Sequence, residues 1–230
     1  MNPPESEISQ PFTLRLIPSA SFEPPILRPL VDTDDEVSVL QAIERKTSKR
    51  LSQRRINPEV EDWGSSCVEA AFAYRKEGGN RFNDYHHGAW YAAFDEQTAI
   101  SEVAFHKTRE LGFIKDPDRR FRDEKFYNGL QASFIGRFHD VREIDPRPDY
   151  LEADIDLAYP AGQKLASELL GVGSRGLIYP SARNPGGTCL VAFQEIVVQD
   201  VRPSAQWKLT WAGSPEWTAE PAGGSARIRG

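Results

Sequence analysis

The chain has 230 residues, with 34 acidic against 28 basic side chains and a formal net charge of −6. A length of that order holds one large domain or two small ones around a substantial core. The acidic balance, with a pI near 5.4, excludes a general nucleic-acid binder, whose basic surface works by displacing counterions.

The first ten residues, MNPPESEISQ, lack the basic start and apolar run of a signal peptide. No apolar stretch approaches the length of a membrane span, so a cytoplasmic protein with no membrane contact is expected. Cys67 and Cys189 are far apart, without metal-ligand spacing, and read as buried thiols of a reducing compartment. Residues 13–17, TLRLI, alternate and predict a first strand, with Arg15 on the face opposite Leu14 and Leu16. An arginine placed so is ordinarily a surface residue of an edge strand. The prolines at 18–29 predict an extended loop, since each removes a backbone donor.

Thr33 and Glu36 form a capping-box pattern ahead of a helix with Val37, Leu40 and Ile43 on one stripe. Arg45, Lys46, Lys49 and Arg50 suit the negative end of its dipole. With Arg54 and Arg55 they make the most basic stretch of the chain, which reads as a solvated face.

The densest chemistry lies at 78–106, GGNRFNDYHHGAWYAAFDEQTAISEVAFH. Gly78 and Gly79 permit a tight turn that points Arg81 into a cleft; neither a phosphate-loop nor a Rossmann glycine pattern is present. Residues 88–94 predict a strand with Trp90, Ala92 and Phe94 on one face and Tyr91 on the other. A helix begins near Asp95, with Ala99, Val103 and His106 on one face and Glu102 beside them. A carboxylate turned inward needs a partner, and Arg81 or a bound ligand is the candidate. A guanidinium that grips phosphate, a tyrosine with a polar tip and a carboxylate that steadies positive charge suit a dinucleotide with a cationic leaving group.

His86, His87, His106 and His139 match no zinc spacing, so no metal is expected. His106 reads as a hydrogen-bonded core histidine. Charge density and Pro117 predict a mobile loop over 109–125, and alternation predicts a strand over 130–138. A helix is expected from about Pro160 to Gly171, then strands at 176–179, 188–193, 195–201 and 206–211. Ser181 follows Pro180 at a strand end, a place more typical of a turn hydroxyl than of a nucleophile.

Five blocks together, LRLIPS with Arg15, NRFND with Arg81, AWYAA with Tyr91, TAISEVAFH with Glu102 and GLIYPSARNPGGTCLVAF with Ser181, resemble the RES domain family. The resemblance runs from about Thr13 to Phe193. It implies an α+β fold of mixed short-stranded sheets with about four peripheral helices, similar to ADP-ribosyltransferases. It also implies the toxin of a bacterial toxin–antitoxin pair that cleaves the nicotinamide–ribose bond of NAD+, its substrate.

By that resemblance Glu102, Arg81 and Tyr91 act in catalysis, and Arg15, Arg81, Tyr91 and Ser181 bind NAD+. The implied partner is an antitoxin with a helix-turn-helix domain; direct nucleic-acid contact is not expected. The domain is expected at 13–211, with a flexible start at 1–12 and a disordered tail at 212–230. Asp84, Tyr85, His86 and His87 are bulkier than the small residues expected after the arginine, and could steer an acceptor protein. Two other readings stay open: a mono-ADP-ribosyltransferase acting on a host protein, and a non-catalytic interaction module in which Arg81 and Glu102 form only a buried pair.

Overall fold

A computed structural model of the chain describes residues 2–19, 63–222 and 228–229. The expected helix beginning after Thr33 and the basic cluster from Arg45 to Arg55 lie outside the described residues. What is described is an α+β fold, one ten-stranded sheet with three α-helices. The strands are β1 (Glu5–Glu7), β2 (Thr13–Pro18), β3 (Trp90–Ala93), β4 (Arg122–Phe134) and β5 (Arg137–Asp140). They continue as β6 (Gly176–Pro180), β7 (Thr188–Ala192), β8 (Val198–Ala212), β9 (Trp217–Pro221) and β10 (Ile228–Arg229). The helices are α1 (Trp63–Ala73), α2 (Glu96–Gly112) and α3 (Ile155–Gly171).

Across the sheet the order is β1-β5-β6-β7-β3-β2-β4-β8-β9-β10, antiparallel throughout except where β5 meets β6. The alternation of β3 sorts the two faces. Trp90 and Ala92 pack with Val68 and Phe72 of α1 and with Leu190 and Ala192 of β7. Ala93, with Tyr91 half-buried beside it, joins Leu169 of α3 and Leu177 and Val191 on the other face. On that same face α2 sends Ile100 and Ala104 onto Trp207, Leu209 and Trp211 of β8.

The middle of the sheet is weakly joined. β2 meets β4 over six register pairs but meets β3 only where Leu14 stands opposite Ala93. Beyond that pair the ladder opens, and the two strands form the base of a cavity under α2. A helix laid over a seam of this kind covers both halves of the sheet without closing the gap.

Several expectations are corrected. The loop expected over 109–125 is found only over 113–121; residues 109–112 are the last turn of α2 and residues 122–125 the start of β4. Charge conceals this strand because its charged residues are paired: Lys107 Nζ lies 2.8 Å from Asp123, and Lys208 Nζ lies 2.8 Å from Glu124 across the ladder. The strand expected over 130–138 is split into β4 and β5, with Gly136 at φ +89° between them. The runs at 195–201 and 206–211 are a short 3-10 turn, Glu195–Val197, followed by one 15-residue strand. The register shifts along β4 and β8 carry that strand past Pro203.

Helix α3 begins at Ile155, earlier than Pro160, because the Asp154 side chain caps it by accepting from Asp156 N. At the ends of the chain, β1 pairs with β5 although 1–12 was expected to be flexible. Likewise β9 pairs with β8 and buries Ala219, where a disordered tail was expected. Helix α1 is not among the expected elements. Its residues WGSSCVEAAFA are mostly small and weakly patterned, so periodicity offers little to find.

Candidate functional site

The cavity is about 250 Å³ and has one wall from each of several elements. Leu14, Arg15 and Leu16 of β2 and Tyr91 to Ala93 of β3 form its base, and Ala99, Glu102, Val103 and His106 of α2 one side. Asn80 and Arg81, Tyr159, Tyr179, Arg183 and Cys189 complete the lining.

Helix α2 presents Glu102 because Asp95 fixes where the helix starts. The Asp95 carboxylate accepts from Thr98 N at 2.8 Å and from Thr98 Oγ1 at 2.7 Å, an N-cap that satisfies orphan donors of the first turn. Thr98 Oγ1 in turn accepts from Asn184 Nδ2 at 2.8 Å, which ties the helix start to the turn that carries Ser181. Counting from that fixed origin, Ala99, Glu102, Val103 and His106 all reach the cavity.

Glu102 is held by Ser181. Its Oε1 accepts the Ser181 hydroxyl at 2.7 Å, and the Cys189 thiol points at the same oxygen from 3.7 Å. Burial, with Glu102 close by, pushes the Cys189 thiol well up, so it remains a neutral donor. Among the described residues no hydrogen bond reaches Oε2. The Ser181 oxygen also accepts from Arg183 N and Asn184 N, each at 3.0 Å. This is the turn hydroxyl that its position suggests, with the further task of orienting a carboxylate 79 residues away. Ser181 is not among the residues that line the cavity; its hydroxyl is turned to Glu102.

Arg81 does not pair with Glu102. Its Nη1 donates to the carbonyls of Tyr150 and Glu152, both at 2.8 Å, and its guanidinium carbon lies 5.8 Å from the Tyr159 ring centroid. The expected partnership is corrected: the carboxylate goes to a hydroxyl and the guanidinium to backbone oxygens. The buried Arg81–Glu102 pair of the non-catalytic reading is therefore absent. Two glycines allow this placement. Gly79 has φ +71°, and a Cβ on Gly162 would stand 2.2 Å from the Arg81 carbonyl, so α3 can touch the arginine's backbone only at a glycine.

Tyr91 serves the same loop. Its hydroxyl donates to Asn83 Oδ1 at 2.8 Å and accepts from Phe82 N at 2.9 Å. Burial raises the phenol far above its ordinary range, so it stays protonated. Tyr91 lines the cavity with its hydroxyl already committed to the loop. Arg15 lies half-buried between the parted strands, donating to the Tyr91 carbonyl at 3.1 Å with its guanidinium carbon 4.9 Å over the Trp90 ring. Burial lowers its pKa to about 10, which leaves it charged at neutral pH.

Residues not anticipated one by one also belong here: Asn80, Tyr159, Tyr179 and above all Arg183, which sits inside the quoted Ser181 block. An arginine two residues past a strand-end serine carries no spacing signal, so only the folded turn reveals it. His106 departs from the expected hydrogen-bonded core histidine. It lines the cavity, and among the described residues no hydrogen bond reaches its ring. Burial first, then Lys76, Arg183, Arg109 and Arg81, lowers its pKa to about 4, so the ring is neutral in a cationic surround. By contrast His139 is buried against Ser174 Oγ at 2.8 Å, while His86 and His87 sit exposed on the loop after Arg81. Among the described residues no cluster of His, Cys, Asp or Glu could hold a metal, and no helix is long and apolar enough to cross a membrane.

Chemically, the cavity offers one carboxylate with a free oxygen, a neutral imidazole and several guanidinium groups. That set attracts an anionic ligand and can stabilise a positive centre at one point within it. Compared with known families, residues 53–212 match the model of the RES domain. No curated protein matches the chain.

Proposed function

The chain belongs to the RES domain family, a family associated with NAD-related activity in toxin–antitoxin systems. From that membership and the cavity we propose that the protein is such a toxin, and that it cleaves the bond between nicotinamide and ribose in NAD+. The observation that carries the proposal is the setting of Glu102: one oxygen taken by Ser181 and the other unengaged among the described residues, which otherwise line the cavity with cations and neutral groups.

When the bond breaks, its electron pair leaves with nicotinamide, which becomes neutral, and the ribose carbon becomes an oxocarbenium-like cation. Nicotinamide is a good leaving group and needs little acid catalysis. The gain comes from charge stabilisation, and Glu102 Oε2 supplies it more strongly in the transition state than in the ground state. Ser181 keeps that oxygen aimed. Arg81 draws the phosphates, and Tyr91 holds its loop in place through Phe82 and Asn83. Arg15 adds positive field at the base.

An acceptor oxygen then captures the ribose carbon. Water or phosphate gives free products and depletes NAD+, arresting growth. A protein acceptor is a second reading, favoured by the loop after Arg81. There Asp84 Oδ1 accepts from His86 N and His87 N, and Arg75 Nη1 donates to the His86 carbonyl at 2.7 Å. This ordering displays an exposed Tyr85 beside the site. A cytoplasmic antitoxin with a helix-turn-helix domain would restrain the enzyme by covering the cavity.

The test is to incubate the purified protein with NAD+, with and without phosphate and cell lysate, and to identify products by mass spectrometry. Nicotinamide release is expected in every arm, with ADP-ribose, its phosphate or a modified protein naming the acceptor. Intact NAD+ in all arms would overturn the proposal.

A further inference from the structure

Arg183 has no task in the reaction as described, yet it is built into the cavity with care. Its guanidinium carbon lies 3.3 Å from the Phe105 ring centroid, and its Nη2 donates to the Ala153 carbonyl at 2.7 Å. Arg81 is mounted in the same way, near the Tyr159 ring with Nη1 on the carbonyls of Tyr150 and Glu152. Arg147 Nη2 takes the intervening Leu151 carbonyl. Four consecutive carbonyls therefore each accept from an arginine, and two of those three arginines line the cavity. One short segment sets the spacing of two cationic forks.

Such a mounting has a consequence. Ring and carbonyl fix the plane of each guanidinium, and a fixed fork loses little freedom when it grips an oxyanion. The two arginines lie within electrostatic reach of one another. Neither has a carboxylate within ion-pair distance among the described residues. Glu102 shares the cavity and attracts Arg183, but it forms no ion pair with either arginine among the described residues, and an anion with two charged groups complements the two forks.

We infer that Arg81 and Arg183 form a two-pronged clamp for a diphosphate, with Arg183 as the prong that separates diphosphate-bridged nucleotides from nucleoside monophosphates. A bridged diphosphate offers each guanidinium its own pair of oxygens, whereas a monophosphate occupies only one fork. The inference deepens the NAD+ reading and rests on it for the identity of the natural ligand.

Titration calorimetry with ADP-ribose and with AMP tests the clamp, on wild type, Arg183→Gln, Arg183→Lys and Phe105→Leu. Wild type is expected to bind ADP-ribose at least about tenfold tighter than AMP, the value of one charge-assisted contact. Arg183→Gln should weaken ADP-ribose by about ten- to a hundredfold and AMP by less than about threefold. Arg183→Lys keeps the charge without the fork and should recover only part of the loss. Phe105→Leu keeps the arginine but removes the ring, and should weaken ADP-ribose about threefold.

These two conservative variants guard against misfolding in the glutamine variant. A wild type without preference, or equal losses for both ligands in the variants, overturns the clamp. Nicotinamide release by wild type is measured alongside: if ADP-ribose binds as expected while NAD+ stays intact, cleavage is wrong and the clamp stands.

Discussion

Trp90 and Tyr91 are neighbours on one strand and belong to opposite environments. Trp90 is fully buried on the α1 face, and among the described residues its indole N–H has no hydrogen-bond partner. Such an orphan costs about 1–3 kcal/mol. Burying the large ring against aliphatic neighbours recovers a similar amount, and Arg15 over its face adds a cation–π contribution. Tyr91, one residue on, spends its hydroxyl on two hydrogen bonds that hold the Arg81 loop. The dry face tolerates a wasted donor because packing dominates there. On the cavity face the polar groups orient one another, and what remains turned to a ligand is Glu102 Oε2, the His106 ring and the remaining N–H groups of Arg81 and Arg183.

The strongest way to break this contrast is Glu102→Gln. The amide can still accept from Ser181, so the fold should survive, while turnover of NAD+ falls by about 10²–10³-fold. ADP-ribose binding should change little, because the charge matters most in the transition state. Wild-type nicotinamide release from this variant would remove Glu102 from the mechanism.

Arg81→Ala should lower kcat/KM for NAD+ by about a hundredfold, with KM and kcat both affected, as befits one or two charge-assisted hydrogen bonds. It also strips the Tyr150 and Glu152 carbonyls of their donor, so chemical denaturation should show a loss of about 1.5–3 kcal/mol. An unchanged midpoint would mean that these two bonds contribute nothing to the fold.

A paired substitution sharpens the comparison directly. Tyr91→Phe leaves Phe82 N without its acceptor and Asn83 Oδ1 with Asn80 Nδ2 as its remaining donor, and should cost about 1–2 kcal/mol of stability and about tenfold in activity through the loop. Trp90→Phe removes a donor that bonds nothing among the described residues, and its cost should be one of packing, about 1–3 kcal/mol, with activity within about twofold of wild type. If both variants lost activity equally, the two faces would not be separable in function.

The smallest expected effect concerns pH. His106 titrates at about 4 in the folded chain, below its ordinary 6.5. Between those values the unfolded chain binds more protons, so stability falls as pH drops from about 6.5 to about 4. His106→Gln should flatten that acid limb by on the order of 1–2 kcal/mol, allowing for partial exposure. Denaturation midpoints at pH 7 and pH 4.5 measure it, and parallel curves for both proteins would assign the limb to other groups.

Much of this was readable in residues. Alternation at 88–94 separated Tyr91 from Trp90, the Asp95 start placed Glu102 and His106 on the cavity side, and Gly78 and Gly79 marked the turn before Arg81. Those are local facts, set by the two-residue period of a strand, the 3.6-residue period of a helix and the sterics of positive φ. The partners were not readable. Charge suggested Arg81 for Glu102, since it is the cation of the same stretch of sequence that the preceding glycines turn toward the cleft. The fold instead gave Glu102 to Ser181 and Arg81 to carbonyls of a distant turn.

Composition misled at the strands that carry charge or lie at the edges. Residues 122–125 looked like loop because the partners of Asp123 and Glu124, Lys107 on α2 and Lys208 on β8, are invisible until those elements dock, and β9 looked like tail because short strands have weak patterns. What the amino-acid order determined alone was which side chains share a face and where elements begin, because those depend on backbone geometry within a few residues. Which groups meet across the cavity, and that β2 and β3 part after one register pair to make room for it, was decided only by tertiary packing. Contacts between residues 69 to 87 positions apart depend on how whole elements dock, and no local period encodes that.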